Sequence, residues 1–271
     1  MKKLNFSFII SIIFIILLIF ISISYPLILP FDPINYFDFN HLNEGPSKLH
    51  LFGLDSLGRD IFSRILYGTH ITLMISIISI IIGASIGSFL GLFIGYYENY
   101  LDILVIKICD ILLALPSILL AVLISIFIKN GILNIIFSIS ILNIPIFIRF
   151  VRSHTLTIKN QDFILASRCI GLSNIKIIFY HIFPCVINSI IIYSTMRIGT
   201  AIITASSLSF LGFGVQSPTP EWGLMINESR SDLLISPHLI IFPSLAIFIT
   251  VLSFNILSNN IKYYIKFNKK Y

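Results

Sequence analysis

The chain has 271 residues, of which 56% are hydrophobic and only 11% are charged, and its mean hydropathy is +0.97. A single soluble core cannot hide so much apolar surface, because too few polar residues remain to cover it. The composition therefore excludes an ordinary soluble domain and predicts a membrane protein. The net charge of +6 does not indicate a nucleic-acid partner, since the basic residues are interspersed with apolar spans and form no stripe.

The cysteines and histidines show no metal-binding pattern. Cys109, Cys169 and Cys185 lack the spacing of a metal site or a disulfide framework, and the six histidines are scattered without a cluster. We therefore expect reduced, inert thiols, no metal and no cofactor. A membrane enzyme is also disfavoured, because no nucleophile, base or set of metal ligands converges at membrane depth.

Six apolar segments reach the ~20 residues that a bilayer crossing requires. They cover residues 6–29, 71–96, 108–128, 132–150, 185–211 and 239–257. The first has a longer apolar run than a signal peptide and no small-residue cleavage site after it, so we predict a retained anchor. The fold class is therefore all-α and polytopic, with six transmembrane helices. We predict one domain, made of the anchor, an outside segment over 30–70 and a core over 71–258.

The distribution of lysine and arginine predicts the orientation of the spans. With the N-terminus inside, twelve basic residues fall on the cytoplasmic side and five outside, as the positive-inside rule requires. The inside set is Lys2, Lys3, Lys107, Arg149, Arg152, Lys159, Arg168, Lys176, Lys262, Lys266, Lys269 and Lys270, and the outside set is Lys48, Arg59, Arg64, Lys129 and Arg230. Both termini are then cytoplasmic.

A polar segment, NQDFILASRCIGLSNIKIIFYHIFP, separates the fourth and fifth spans. Asp162 lies where a first helix would start and Arg168 lies near its end, and each charge complements the helix dipole there. Gly171 follows as a residue able to adopt positive φ, and Ser173 is a plausible N-cap for a second helix that ends before Pro184. The segment therefore predicts a helix, a sharp bend and a second helix.

The second span carries a glycine at every fourth position: Gly83, Gly87, Gly91 and Gly95. One face of this helix is nearly bare backbone, and such faces let transmembrane helices approach closely. We predict tight packing against another helix, with a substrate-lining role as the alternative.

Three residues within the predicted spans are unusual for a membrane interior. Asp110 is a costly carboxylate, and Pro116 leaves a backbone carbonyl without its usual partner. Asp110 lies near the cytoplasmic end of its span, so a hydrated or capped structural role is an alternative to a role in transport. Arg197 is deeper and should face a cavity or a carboxylate, not lipid.

Several long motifs resemble one family of membrane proteins. The runs HLFGLDSLGRDIFSRILYG, DILLALPSILLAV, LSFLGFGVQSPTPEWG and FPSLAIFITVLSFNIL, together with the polar segment, resemble the C-type permease subunits of dipeptide and oligopeptide ABC importers. These motifs cover most of the chain in the family's order. Within the family, PFDPINYFDFNHLNEGPS and TMRIGTAIITASSLSFLG closely resemble the D permease of glutathione importers.

The resemblance implies a MetI-like fold in the bacterial inner membrane and half of a translocation pore for a small peptide, which this branch indicates to be glutathione. It also implies three kinds of partner: a second homologous permease, two ATP-binding subunits and a periplasmic substrate-binding protein. The chain has no Gly-x-x-x-x-Gly-Lys phosphate loop, so the partners would hydrolyse ATP and this subunit would not be an enzyme. Import of other peptides or of nickel, or secondary transport, are the alternatives.

The resemblance also assigns candidate residues. It places the ATPase-coupling loop at residues 153–184, where Leu165 stands in the position of the family's glutamate. The coupling residues are Leu165, Ala166, Ser167, Arg168, Gly171, Ser173 and Pro184. The candidate translocation path is Asp110, Pro116 and Arg197.

A last motif is predicted to lie on the periplasmic side. Its residues are Gly58, Arg59, Asp60, Arg64, Pro220, Glu221 and Trp222. They would contact the binding protein or close the outer gate. The alternative is a simple loop-to-helix cap in which Asp60 opposes Arg64 at i,i+4.

Overall fold

The structure, a computed structural model, describes residues 6–128 and 131–268. Within these ranges the chain forms ten α-helices, one π-helical stretch and one 3-10 turn, with a single isolated β-bridge. The helices are α1 (Phe6–Ile28), α2 (Ile61–Tyr97), α3 (Tyr100–Ala114), α4 (Ser117–Ile126), α5 (Ile132–Lys159), α6 (Asp162–Cys169), α7 (Asn174–Lys176), α8 (Phe183–Phe210), α9 (Trp222–Glu228) and α10 (His238–Asn268). Some residues used in the charge count lie outside the described ranges, namely Lys2, Lys3, Lys129, Lys269 and Lys270.

Five helical segments are long and apolar enough to cross a membrane, and the bent pair α3–α4 makes a sixth if it counts as one span. The predicted six-helix architecture is thus compatible with the structure, but the third span is not one straight helix. Its two halves meet at 97° around Pro116. Leu115 before the proline is extended, with ψ at 140°, because the proline ring disfavours helical backbone at the preceding residue.

Two spans are longer than their apolar runs. α2 begins at Ile61, ten residues before the predicted start of its span, and α5 continues nine residues past position 150. Asp60 is the N-cap of α2 and accepts a hydrogen bond from the Ser63 amide at 2.8 Å. The predicted spans end with their apolar residues, whereas both helices continue into polar turns beyond them.

The glycines of α2 pack against α5, which confirms the predicted close packing. A Cβ atom added at Gly87 would lie 2.6 Å from the Phe147 Cβ, and one at Gly91 would lie 2.7 Å from the Ile148 carbonyl oxygen. Both distances are too short for a real contact, so the two helix backbones need glycine to approach this closely. The stripe therefore joins two helices of the same subunit.

The outer surface of the helix bundle is apolar. On α1, for example, Ile13, Phe20 and Ile23 are exposed, while Ile15 and Leu18 pack against the other helices. Membrane lipid would cover such a surface, in agreement with the composition.

The second helix of the polar segment does not end before Pro184, so its predicted end was wrong. α7 continues through a π-helical stretch, Ile177–Ile182, directly into α8, and the whole stretch Asn174–Phe210 is one candidate span. In the π-helical stretch the Phe183 amide donates to the Ile178 carbonyl, five residues back. Pro184 has no amide hydrogen, and its ring would crowd a regular α-turn, so this wider turn accommodates it without ending the helix.

Candidate functional site

The sharp bend of the polar segment forms as predicted. Gly171 follows α6 with a φ of +78°, and its amide donates to the Arg168 carbonyl at 3.0 Å. The Leu172 amide donates to the Ser167 carbonyl at 3.2 Å, which closes the end of the helix. Ser173 is the N-cap residue of α7, but its side chain makes no capping hydrogen bond. Backbone geometry at the glycine therefore produces the bend.

One aromatic residue connects the bend to the membrane helices. Tyr96, at the end of α2, is buried, and its hydroxyl donates to the Asn174 side chain at 2.7 Å. The guanidinium of Arg168 lies 5.3 Å from the centre of the same ring. The Lys159 Nζ donates to the Tyr96 carbonyl at 2.6 Å and also pairs with Glu98. Tyr96 thus contacts α5, α6 and α7.

The opposite face of α6 is exposed. Ile164 and Ser167 are buried against the bundle, whereas Leu165 and Ala166 point away from it. Ile170, after the helix, is 77% exposed. The polar segment therefore presents an apolar outer surface, which suits contact with another protein.

Two of the three residues predicted for a translocation path lie at one cavity. Pro116 and Arg197 both line a cavity of about 490 Å³ between the α3–α4 bend and the middle of α5 and α8. The Arg197 Nε donates to the Asn143 side-chain oxygen at 3.0 Å. Arg197 therefore faces a cavity, as expected for a cation at this depth.

The third residue of that set has a different environment. Asp110 forms an ion pair with Arg149 on α5, and both side chains are about half exposed. Nearer the N-terminus of α3, Asp102 accepts two hydrogen bonds of 2.5 and 2.6 Å from Arg152 of α5. These pairs join α3 to α5, which supports the structural alternative for Asp110.

The motif predicted for the periplasmic side forms a buried ionic network. Arg59 donates to Asp55 at 2.7 Å and to Glu228 at 2.8 Å, and Arg64 donates to Glu228 at 2.9 Å. Asp60 does not oppose Arg64 as the alternative supposed, because it caps α2 and also binds His50 at 2.9 Å. The loop-to-helix cap itself is present. Since Arg59, Asp60 and Arg64 are buried, these side chains hold the fold together from inside.

The second half of this motif joins the first. Trp222 is fully buried, and its indole nitrogen donates to the Ile65 carbonyl at 3.2 Å. Glu221 caps α9 by accepting from the Leu224 amide at 3.0 Å, and it also accepts from the Thr72 hydroxyl at 3.3 Å. Burial raises the pKa of the Glu221 carboxyl above its ordinary value. Pro220 is buried beside them, and the Gly58 carbonyl accepts from the Asp38 amide at 2.9 Å.

Long-range contacts group the connecting segments at two ends of the bundle. Glu228 meets Arg59 across 169 positions of sequence at one end, and Lys159 meets Tyr96 across 63 positions at the other. These groupings match the alternating arrangement of loops that the six spans predict. The ionic network and the polar segment therefore lie at opposite ends of the bundle.

Comparison with known proteins identifies the family. Residues 87–270 match the family described as "Binding-protein-dependent transport system inner membrane component". The chain belongs to this family. The permease is therefore a transport subunit of the inner membrane, as expected from its motifs.

Relatives and a solved structure agree with this assignment. The permease is 52% identical over 249 residues to the glutathione transport system permease protein GsiD of Shigella flexneri serotype 5b and to that of Escherichia coli O157:H7. Each alignment covers 92% of this chain and 82% of the relative. In fold, the permease is similar to the MetNI methionine ABC transporter in inward-facing conformations, with a TM-score of 0.59 and 17% identity, over 73% of this chain and 96% of that one. This likeness confirms the MetI-like fold.

Three further residues organise these sites and were not predicted from the sequence. Asn143 is a polar residue in an apolar run and lies two positions before Pro145, which was a usable signal. Tyr96 directly follows the glycine stripe, but nothing in the sequence indicated its partners. Glu228 carries no signal in the sequence, because its pairing with two arginines depends on tertiary structure.

Proposed function

We propose that this permease forms half of the translocation pore of an ATP-driven importer for glutathione. The observation that carries the proposal is the 52% identity, over 92% of the chain, to permeases named for glutathione transport. Other peptides and nickel are the alternative substrates within the family. Secondary transport is disfavoured, because it gives no reason for an exposed bent helix pair outside the membrane spans.

The partners follow from the same proposal. Two ATP-binding subunits would hydrolyse ATP and dock on the coupling loop of each permease, here residues 153–184. A second, homologous permease would complete the pore, and a periplasmic binding protein would deliver the substrate. With the polar segment on the side of the ATPases, both termini are cytoplasmic and the ionic network is periplasmic.

Coupling would then be mechanical. Closure of the ATP-binding subunits would move the exposed face of α6, and the contacts of Tyr96 would pass that movement to α2 and α5. The helices would change between inward-open and outward-open arrangements, which is alternating access. Apolar Leu165 would meet an apolar surface of the ATPase, since no carboxylate is present at that position.

The other candidate residues take roles in this scheme. Pro116 and Arg197 would line the translocation path, and Asp110 would hold α3 to α5 at its cytoplasmic end through the ion pair with Arg149. The network of Arg59, Arg64 and Glu228 would keep the periplasmic ends of α2 and α9 together while the helices move.

Deleting the gene in its own host tests the proposed substrate. Uptake of radiolabelled glutathione should be lost and should return when the gene is supplied again. Loss of dipeptide or nickel uptake with normal glutathione uptake would overturn the proposal in favour of an alternative substrate. Purification of the tagged permease from the same host should bring ATP-binding subunits with it, and their absence would favour secondary transport.

A further inference from the structure

Arg197 carries a positive charge that no carboxylate of the described chain neutralises. Its Nε atom donates to Asn143, but no Asp or Glu forms an ion pair with it in residues 6–128 and 131–268. Its two terminal nitrogen atoms have no hydrogen-bond partner in the same ranges. A guanidinium near the middle of a span is costly unless water, a partner or an anion compensates it.

Asn143 holds this guanidinium in one orientation. Its side chain is almost fully buried, and its amide nitrogen donates to the Ile139 carbonyl at 2.7 Å. That bond leaves the amide oxygen to accept from the Arg197 Nε. On the other side, Gly83 approaches the Asn143 Cβ so closely that an added methyl group would lie 2.7 Å from it. The arginine is therefore fixed at its inner edge, and its terminal nitrogen atoms remain free to donate.

The rest of the cavity suits a small organic anion better than a metal cation. Thr200 and Thr204 line the same cavity, but their hydroxyls donate to the backbone carbonyls of Arg197 and Thr200, so their oxygens are left to accept from an ammonium or amide N–H of a bound peptide, not to bind its carboxylate. The other lining residues are mainly leucine, isoleucine and proline, and no carboxylate lines the cavity. A divalent cation would meet a positive charge without an acidic ligand, whereas a carboxylate would receive two or more charge-assisted hydrogen bonds.

We infer that this cavity is a carboxylate-binding site of the translocation path, in which Arg197 binds a carboxylate of the passing peptide and Asn143 positions the guanidinium. The inference rests on the proposed function and adds the recognised group and the residues that recognise it. It also favours a peptide over nickel as the substrate.

The test uses the complex that co-purifies with the tagged permease, reconstituted in proteoliposomes with labelled glutathione. Arg197→Met should lower the uptake rate about tenfold or more, because hydrogen bonds to a charged group are lost. Asn143→Asp is nearly isosteric and places a carboxylate beside the guanidinium. The resulting internal ion pair should neutralise the site and cause a similar loss. Co-purification of the ATP-binding subunits should stay at the wild-type level in both variants.

The second variant separates recognition from structure. If Arg197 only stabilises the fold, an ion pair created by Asn143→Asp should leave uptake unchanged, and that result would overturn the inference. Failure of the Arg197→Met complex to assemble would also overturn it, since the arginine would then be structural. A wild-type complex that imports no glutathione would contradict the proposed function itself, whereas equal uptake by wild type and both variants would contradict the carboxylate site alone.

Discussion

The Tyr96 hydroxyl donates a hydrogen bond to the Asn174 side-chain oxygen at 2.7 Å, which ties the end of α2 to the start of α7. Arg168 of α6 lies over the face of the same ring. The bent helix pair is therefore connected to the bundle in two ways. The chain itself joins them, and side-chain contacts bind the pair to the helix that carries the glycine stripe.

Removing this hydroxyl should weaken coupling without unfolding the permease. Tyr96→Phe keeps the ring under Arg168 but loses a hydrogen bond worth ~1 kcal/mol. We expect the number of substrate molecules imported per ATP hydrolysed to fall by up to about fivefold, since ~1 kcal/mol changes an equilibrium by that factor. Tyr97→Phe is the matched control, because Tyr97 is exposed and its ring packs on Phe93. Equal coupling in the two variants would show that Tyr96 is not a transmission residue.

Gly171 supplies a second way to disturb coupling. A Cβ atom at this position would meet no neighbour within 4 Å, so the cost of substitution comes from its φ of +78° alone. Gly171→Val should cost ~1 kcal/mol or more in the bend and uncouple ATP hydrolysis from transport, while membrane insertion survives. Gly171→Asn should retain most transport, because asparagine tolerates left-handed backbone. Normal transport by the valine variant with docked ATPases would remove the bend from the coupling mechanism.

The proposed orientation can be measured by labelling single cysteines in intact cells. The background should replace the native cysteines, above all the exposed Cys169. We expect an impermeant maleimide to label cysteines introduced at Ser47 and Thr219 and not those at Asn160 and Asn268. The labelled and the protected positions both follow from the distribution of basic residues, twelve on the cytoplasmic side and five outside. Labelling of position 160 with protection of position 47 would invert the topology.

The buried ionic network predicts a large effect on stability. Glu228 is the shared partner of Arg59 and Arg64, whose side chains are 3% and 1% exposed. Glu228→Gln removes one of the two carboxylates that balance these arginines and should lower the free energy of unfolding by about 3 kcal/mol, because Asp55 alone is left to pair with two buried guanidinium groups. Asp232→Asn is the control, since it removes a carboxylate from the following turn without touching the network. Unfolding midpoints of the purified permease in detergent should therefore drop for the first variant only.

Glu221 predicts a dependence of stability on pH. Its pKa in the folded protein is raised above the ordinary 4.5 by burial, so the folded state holds a proton that the unfolded state releases. The contribution of this group to stability is fully present below pH 4.5 and is lost as the pH rises through the folded-state pKa. The glutamine of Glu221→Gln cannot lose a proton. The unfolding temperature of this variant should therefore increase relative to that of the wild type as the pH rises. A difference that stays constant across the acidic and neutral range would show that the carboxyl is not protonated in the fold.

The family motifs and the apolar runs by themselves determined much about this protein. The length of an apolar run is a local property of the sequence, and the bilayer thickness fixes the length that a span needs, so the number of spans could be predicted by counting. The bend at Gly171 was predictable for the same reason, because a glycine between two short polar helical segments is a short-range signal. The glycine stripe likewise predicted close packing, although not that α5 would be the partner.

Only the tertiary structure decided which distant residues meet. Arg197 and Asn143 are 54 positions apart, and Arg64 and Glu228 are 164 positions apart. Such pairs depend on the angle and depth at which whole helices cross, which the packing of many side chains sets together. The 97° bend at Pro116 and the π-helical turn before Pro184 depend on the same packing. A proline predicts a disturbed helix, but the neighbouring helices determine whether the chain turns sharply or continues.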